Sequence, residues 1–206
     1  MSNILYLKAS PRTGRSHSIA LAEAFLAAYK TRNPKDTVVE LDLFETVLPE
    51  IDGLTVQGRY NIMHGRDDTP EERQAWKRVE QLVEEFKSAD KYVFAVPMWN
   101  FSIPYRLKHF IDVVTQPGYT FKVGDNGYEG LLTDRKAMIT YASGGVYSPG
   151  TPTEPFNFQS PYMDLWLGFI GITDVVSVAA SGMLGPDRDA SKIKALERVR
   201  DIAEDF

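Results

Sequence analysis

Three short stretches hold the residues whose types suit ligand chemistry. The first runs Ser10-Pro11-Arg12-Thr13-Gly14-Arg15-Ser16-His17-Ser18 and leads into a helix-like segment. The hydroxyls of Ser10, Ser16 and Ser18 are hydrogen-bond donors, Arg12 and Arg15 add positive potential, and a helix N-terminus offers free N–H groups to an anion. The stretch suits a phosphate group, although a serine that only caps the helix is the plainer reading. It matches neither GxxxxGK[ST] nor GxGxxG, which argues against a nucleoside-triphosphate loop or a dinucleotide turn.

The second stretch is Pro97-Met98-Trp99-Asn100-Phe101-Ser102-Ile103-Pro104. It sets flat side chains around one amide, with a proline at each end to stiffen the loop. This suits a wall for a planar heterocycle, stacked by Trp99 and Phe101 and hydrogen-bonded by Asn100. The plainer reading is a strand end whose aromatics cover the sheet edge. The third stretch, Ser143-Gly144-Gly145-Val146-Tyr147, has paired glycines that allow close backbone approach; alone it reads as a turn. A phosphate socket, a planar slot and a close backbone edge together fit FMN.

These stretches need a frame to bring them together. NILYLK (3–8), TVVELDL (37–43), KYVFAV (91–96), AMITYAS (137–143) and TDVVSVAAS (173–181) read as strands. KYVFAV is too apolar for a wet face, as parallel strands buried on both sides are. Helical spacing follows in Leu21, Ala24, Phe25 and Ala28; in Ala75, Trp76, Val79, Leu82, Val83 and Phe86; in Leu107, Phe110, Ile111 and Val114; from near Gln159 to Gly171; and in Ile193, Leu196, Val199 and Ala203. Thr69-Pro70-Glu71-Glu72 is a strong helix start with a capping box. Residues 44–66 read as irregular, and 116–134 as a long glycine-punctuated excursion of the kind that is often functional.

Five strands alternating with five helices predict an α/β fold: one three-layer, doubly wound domain over 1–206, with a five-stranded parallel sheet and helices on both faces. In the flavodoxin-like strand order, the first, third and fourth strands are neighbours. The three stretches above follow those strands and would meet beyond their carboxyl ends, where such sheets bind ligands.

Composition narrows the partners. Acids outnumber bases 28 to 23, for a net charge of −5, so no basic face for a nucleic-acid backbone is expected. The chain has no cysteine, which removes disulfides, thiolate metal sites and cysteine nucleophiles and fits a reducing cytoplasm. No signal peptide and no membrane-spanning stretch are read. His17, His64 and His109 lack metal-ligand spacing, so no metal site is expected.

The sequence resembles the FMN-dependent NAD(P)H azoreductase family, also described as NAD(P)H:quinone oxidoreductases, within the flavodoxin-like superfamily. The likeness covers nearly the whole chain and is most specific in PMWNFSIPYRLKHFID, GYTFKVGDNGYEGLLTDRKA and the Ser143-Gly144-Gly145 turn. It implies a homodimer with one noncovalent FMN per subunit. Ser10, Ser16, His17 and Ser18 would hold the phosphate side. Met98, Trp99, Asn100 and Phe101 would meet the ring, and Ser143, Gly144 and Gly145 would lie at its polar edge. Family members often carry tyrosine where Trp99 stands, so a hydroxyl is lost at that position.

The implied reaction is a two-step hydride transfer from NADH or NADPH through the flavin to quinones and aromatic azo compounds. The cofactor carries the chemistry and no catalytic side chain is expected. Phe101, Tyr119 and Phe121 are candidates for the substrate wall, although a loop aromatic such as Tyr119 or Phe121 is more often a packing anchor. The rival readings are an electron-carrying flavodoxin, an FMN or chromate reductase, and a phosphoacceptor domain; the last would need acidic residues after the first strand, where Ser10 and Arg12 stand.

Overall fold

A computed structural model describes residues 1–125 and 127–206; Asn126, inside the excursion, lies outside the described residues. The elements are β1 (Asn3–Lys8), α1 (His17–Arg32), β2 (Thr37–Asp42), α2 (Gly53–Met63), α3 (Pro70–Lys87), β3 (Lys91–Pro97), α4 (Tyr105–Val114), β4 (Phe121–Gly124), β5 (Gly127–Gly130), β6 (Lys136–Ala142), α5 (Ser160–Ile170), β7 (Asp174–Ala180) and α6 (Arg188–Ala203). Five strands form a parallel sheet in the order β2-β1-β3-β6-β7, and β4 pairs with β5 as a separate antiparallel ribbon. The expected five-stranded parallel sheet is therefore present, in the expected order.

Sequence pattern explains which strands lie inside. β3 and β6 carry continuous apolar runs, and both are buried along almost their whole length. The polar-rich β2 lies at an edge, with one buried residue. The chain steps outward from β1 to β2, then crosses back to β3 on the other side of β1. That reversal opens a crevice beyond the ends of β1 and β3.

Two cores flank the sheet. On one face, α3, α4 and α5 supply Trp76, Val79, Phe86, Leu107, Phe110, Trp166 and Ile170. Phe86 is central, with ring centroids 4.8 Å from Tyr92, 5.6 Å from Phe110 and 5.9 Å from Trp166. Each such buried side chain contributes about 1.5–3 kcal/mol of transfer free energy. On the other face, α1 supplies Ile19, Ala22, Phe25 and Leu26, while α6 supplies Ala195, Val199 and Ala203. The small residues of α6 let it lie close beside α1. Both helices follow strands of the same parallel sheet, so both N-termini stand at the sheet's carboxyl edge.

Two expectations need correcting. Residues 44–66 are not irregular throughout, because they contain α2. Gly53 and Gly58 weaken the helical signal, each by about 1 kcal/mol relative to alanine. Tertiary contact overrides that weakness: a Cβ on Gly58 would stand 2.6 Å from the Glu72 carbonyl oxygen, so glycine is what lets α2 dock on the start of α3. The Asp52 carboxylate accepts from the Thr55 N–H at 2.9 Å and caps the helix. There are thus six α-helices among the described residues rather than five. The 116–134 excursion contains the β4–β5 ribbon. It docks on the end of α5 where Leu132 N–H donates to the Ile170 carbonyl at 2.9 Å. The capping box at Thr69 and Glu72 is present in both directions, at 3.2 and 2.9 Å.

Candidate functional site

The site begins where β1 ends. Ala9 N–H still donates to the Ala95 carbonyl at 3.1 Å, and the chain then leaves the sheet. Ser10 is buried and its Oγ accepts weakly from Arg12 N–H at 3.4 Å. A short 3₁₀ turn over Thr13–Arg15 leads to Ser16, which is the N-cap of α1. The plain reading of Ser16 as a cap therefore holds, at a long 3.5 Å from Ile19 N–H. The cap leaves the N–H groups of His17 and Ser18 without intrahelical partners, aimed at the carboxyl edge of the sheet. Ser18 is fully buried, with its Oγ 3.2 Å from that of Ser16. It sits behind the surface and supports Ser16.

The loop after β3 is a tight reversal. Trp99 and Ser102 exchange both backbone hydrogen bonds, at 2.9 and 3.0 Å. The two residues between them, Asn100 and Phe101, have φ of +47° and +71°. Paired positive φ at two central residues is the type I′ pattern, which ordinarily selects Asn-Gly. Asparagine tolerates it, but a bulky phenylalanine there is strained by about 1–3 kcal/mol. Phe101 is 48% exposed, so little burial offsets that cost. Its ring leans on Tyr147 (6.3 Å) and Phe156 (5.6 Å). Trp99 leans the other way, on Phe44 at 5.7 Å.

The third stretch is clipped to the segment after β7. Gly182, Met183 and Leu184 donate backbone N–H groups to the carbonyls of Gly145, Ser143 and Gly144 at 2.9, 3.0 and 3.1 Å. Ser143 Oγ donates to the Gly145 carbonyl at 2.8 Å, closing the turn. A Cβ on Gly145 would meet the Tyr147 ring at 3.1 Å, so that ring lies directly on the glycine backbone.

These segments surround one cavity of about 390 Å³. Ser10, Arg12, Ser16 and His17 line it from the first loop, Met98 and Trp99 from the second, and Ser143 and Gly144 from the third. Met183, Leu184 and Arg188 close it from the segment after β7. Trp99 also borders a larger cavity, about 750 Å³, which Asn100, Tyr105 and His109 line. Ser16, Gly144 and the Asn100 turn therefore share one rim of the molecule.

The first cavity is electropositive at the serine end. Burial, then Lys192, Arg12 and Arg188, push the His17 imidazole below its ordinary value, so the neutral form is favoured. Behind Ser143 lies a smaller polar cavity of about 150 Å³, also bordered by Met98. Tyr141 reaches it with a buried hydroxyl that has no partner among the described residues. Burial raises that hydroxyl far above its usual range, so it stays protonated.

Two substrate-wall candidates lie elsewhere in the chain. Tyr119 packs on Trp76 at 6.4 Å and donates to Glu80 at 2.5 Å. Burial and that hydrogen bond push its hydroxyl up to about 12. Phe121 packs on Phe169 at 4.7 Å in the ribbon. Neither lines the cavity beside Ser16 and Trp99. Both are anchored by packing where the ribbon and α3 meet the body of the chain. His109 lines the larger cavity, and its Nε2 donates to the Pro49 carbonyl at 2.7 Å.

Known proteins carry the same architecture. The flavodoxin-like fold family model matches residues 2–203. An FMN-dependent NADH:quinone oxidoreductase of Nitratidesulfovibrio vulgaris is 48% identical over 209 residues, spanning 100% of both chains. The chain belongs to the family of FMN-dependent NADH:quinone oxidoreductases. An azoreductase from Bacillus anthracis str. Sterne superposes with a TM-score of 0.93 at 35% identity over 100% of both chains. An FMN-dependent NADH-azoreductase from Bacillus anthracis str. Ames Ancestor, solved in complex with FMN, gives 0.92 at 29% identity over 99% of this chain and 98% of that one.

Within this oxidoreductase chain, sequence reading missed the segment after β7. Met183, Leu184 and Arg188 border the cavity although no motif marks them. One signal was available. The segment follows a parallel strand, so it too must emerge at the carboxyl edge, and Gly182, Gly185 and Pro186 punctuate it as a loop. Arg12, read from the sequence as a source of positive potential, also borders the cavity.

Proposed function

We propose that this chain binds one FMN per subunit without a covalent link and uses it to pass reducing equivalents from NADH to quinones. The observation that carries the reading is the convergence of Ser10, Ser16, Trp99, Ser143 and Gly144 on one cavity beside the strained Asn100-Phe101 turn. The cavity fits the group chemically. Its lining includes the donors and cations that a phosphate needs. It also includes an aromatic side chain and a glycine backbone edge, which suit a flat polar ring.

When bound, FMN would supply the two-electron chemistry that links the nicotinamide to the acceptor. The residues then have separable tasks. Ser10, Ser16, His17 and the first N–H groups of α1 hold the phosphate, with Ser18 behind them. Met98 and Trp99 would flank the ring from the cavity wall, and Asn100 and Phe101, in the adjoining turn, would be its further partners. Ser143, Gly144 and Gly145 present backbone to its polar edge. Tyr141, held protonated, keeps a hydroxyl donor in the small chamber behind that edge. The larger cavity across Trp99 gives a nicotinamide or acceptor ring room to stack, which close contact of about 3–3.5 Å between reacting atoms requires.

The finer readings rest on resemblance. Aromatic azo compounds are reduced as well as quinones, donor and acceptor use the same site in turn, and NADPH is the alternative donor. The active form is a homodimer, and the protein works in the cytoplasm on small molecules. No helix among the described residues is long and apolar enough to cross a membrane. Among those residues no group of histidine and carboxylate side chains is placed to hold a metal ion. An electron-carrying flavodoxin, or an FMN or chromate reductase, is the second reading; the second large cavity beside Trp99 favours an enzyme that admits a substrate over a carrier.

The test is spectroscopic. Purified protein loaded with FMN should show flavin bands that bleach on anaerobic addition of NADH and return on addition of a quinone. Protein that takes up no FMN, or whose flavin is indifferent to NADH, would overturn the reading.

A further inference from the structure

We propose that Arg188, the first residue of α6, acts with Arg12 as a second arm of the phosphate clamp and sets the chain's preference for FMN over riboflavin. This rests on the proposed FMN reading and adds a binding role to a residue that no sequence motif marks.

The argument is one of convergence. Arg12, in the loop after β1, and Arg188, at the start of α6, are distant in the chain, yet both border the cavity that holds Ser10 and Ser16. Their shared field reaches His17, whose proton is disfavoured first by burial and then by Lys192, Arg12 and Arg188. The fold brings them together because α1 and α6 pack side by side on one face of the sheet, with Ala195, Val199 and Ala203 against α1. Their N-termini therefore open on the same corner. Asp187, at the start of α6, makes no side-chain cap, so the first N–H groups of that helix add positive potential beside Arg188.

The competing partner of Arg188 is weak. Its Nε lies 3.6 Å from the Asp189 carboxylate, both side chains are well exposed, and such a pair is worth little in water. A phosphate dianion in the cavity offers the planar guanidinium a bidentate match that Asp189 does not. Ser10 adds a donor. It is 1% exposed, and its hydroxyl proton has no acceptor among the described residues.

The test compares FMN with riboflavin, which differ only in the phosphate, by fluorescence titration of flavin-free protein. Arg188→Ala should weaken FMN binding about tenfold to a hundredfold, the range for losing a hydrogen bond to a charged group, and leave riboflavin binding within about twofold. Arg188→Lys should recover part of the loss, because it restores charge without the fork. Arg200→Ala removes the same charge from the exposed far end of α6 and should leave both affinities unchanged. Equal losses for FMN and riboflavin, or no loss for FMN, would overturn the assignment. So would an unchanged FMN affinity with a raised KM for NADH, which would place Arg188 on the dinucleotide. Wild-type protein that binds neither flavin would instead overturn the FMN reading itself.

Discussion

At the scale of single residues, the most informative feature is the backbone at Phe101. A phenylalanine with φ of +71° and half its ring exposed is a poor choice for stability alone. Glycine would fit the turn without strain. On the proposed FMN reading, contact with the flavin ring is what would offset that cost. Phe101→Gly separates stability from binding. Release of strain and loss of contact with Tyr147 and Phe156 oppose each other, so the flavin-free variant should melt within a few degrees of wild type. Flavin affinity should fall by up to about tenfold, the worth of one aromatic contact. Calorimetry and flavin titration on the same sample would check this; a variant that binds FMN as tightly as wild type would remove Phe101 from the site.

At the scale of elements, the glycines at contacts separate structural from functional roles. A Cβ on Gly130 would stand 2.1 Å from the Gly171 nitrogen and 2.3 Å from the Ile170 carbonyl carbon, both rigid backbone. A Cβ on Gly144 would meet only the tip of Leu184, at 2.8 Å, and Leu184 is 90% exposed and free to move. Gly130→Ala should therefore lower stability by about 1–3 kcal/mol through undocking of the ribbon, and Gly144→Ala by less than about 1 kcal/mol. Urea midpoints would measure both, and equal losses would refute the distinction. The same contrast explains what the sequence made legible. β3 and β6 were readable because burial on both faces imposes a continuous apolar run. The Ser10–Ser18 and Met98–Phe101 loops were readable as neighbours because they follow β1 and β3, adjacent parallel strands that end at the same edge of the sheet. α2 was not, since its glycines answer to Glu72 across the fold rather than to local propensity. Arg188 was not, because a lone arginine carries no pattern until α6 is seen beside α1. The Tyr119 and Phe121 contacts were open for the same reason: Trp76, Glu80 and Phe169 are distant in sequence.

At the scale of the whole molecule, charge is unevenly spread. The chain carries a net charge of −5, yet one corner of the sheet gathers Arg12, Arg188 and Lys192 around His17, with two helix N-termini aimed at it. In flavin-free protein burial is the main cost of protonating His17, and repulsion from Lys192, Arg12 and Arg188 adds to it. The sign follows. His17 has a lower pKa folded than unfolded, so between its folded value and 6.5 the unfolded chain binds more protons, and His17's contribution to stability falls as pH drops through that window. A bound phosphate would supply the missing counter-charge and move the folded pKa upward, so FMN should relieve that loss. Riboflavin, with the same ring and no phosphate, should not. NMR titration of the three histidines, with His17→Gln used for assignment, should give His17 a midpoint below 6.5 in flavin-free protein, a higher one with FMN, and little change with riboflavin. An equal rise with both flavins would mean that the ring, not the phosphate, governs this corner, and the positive end of the molecule would then have to serve another anion.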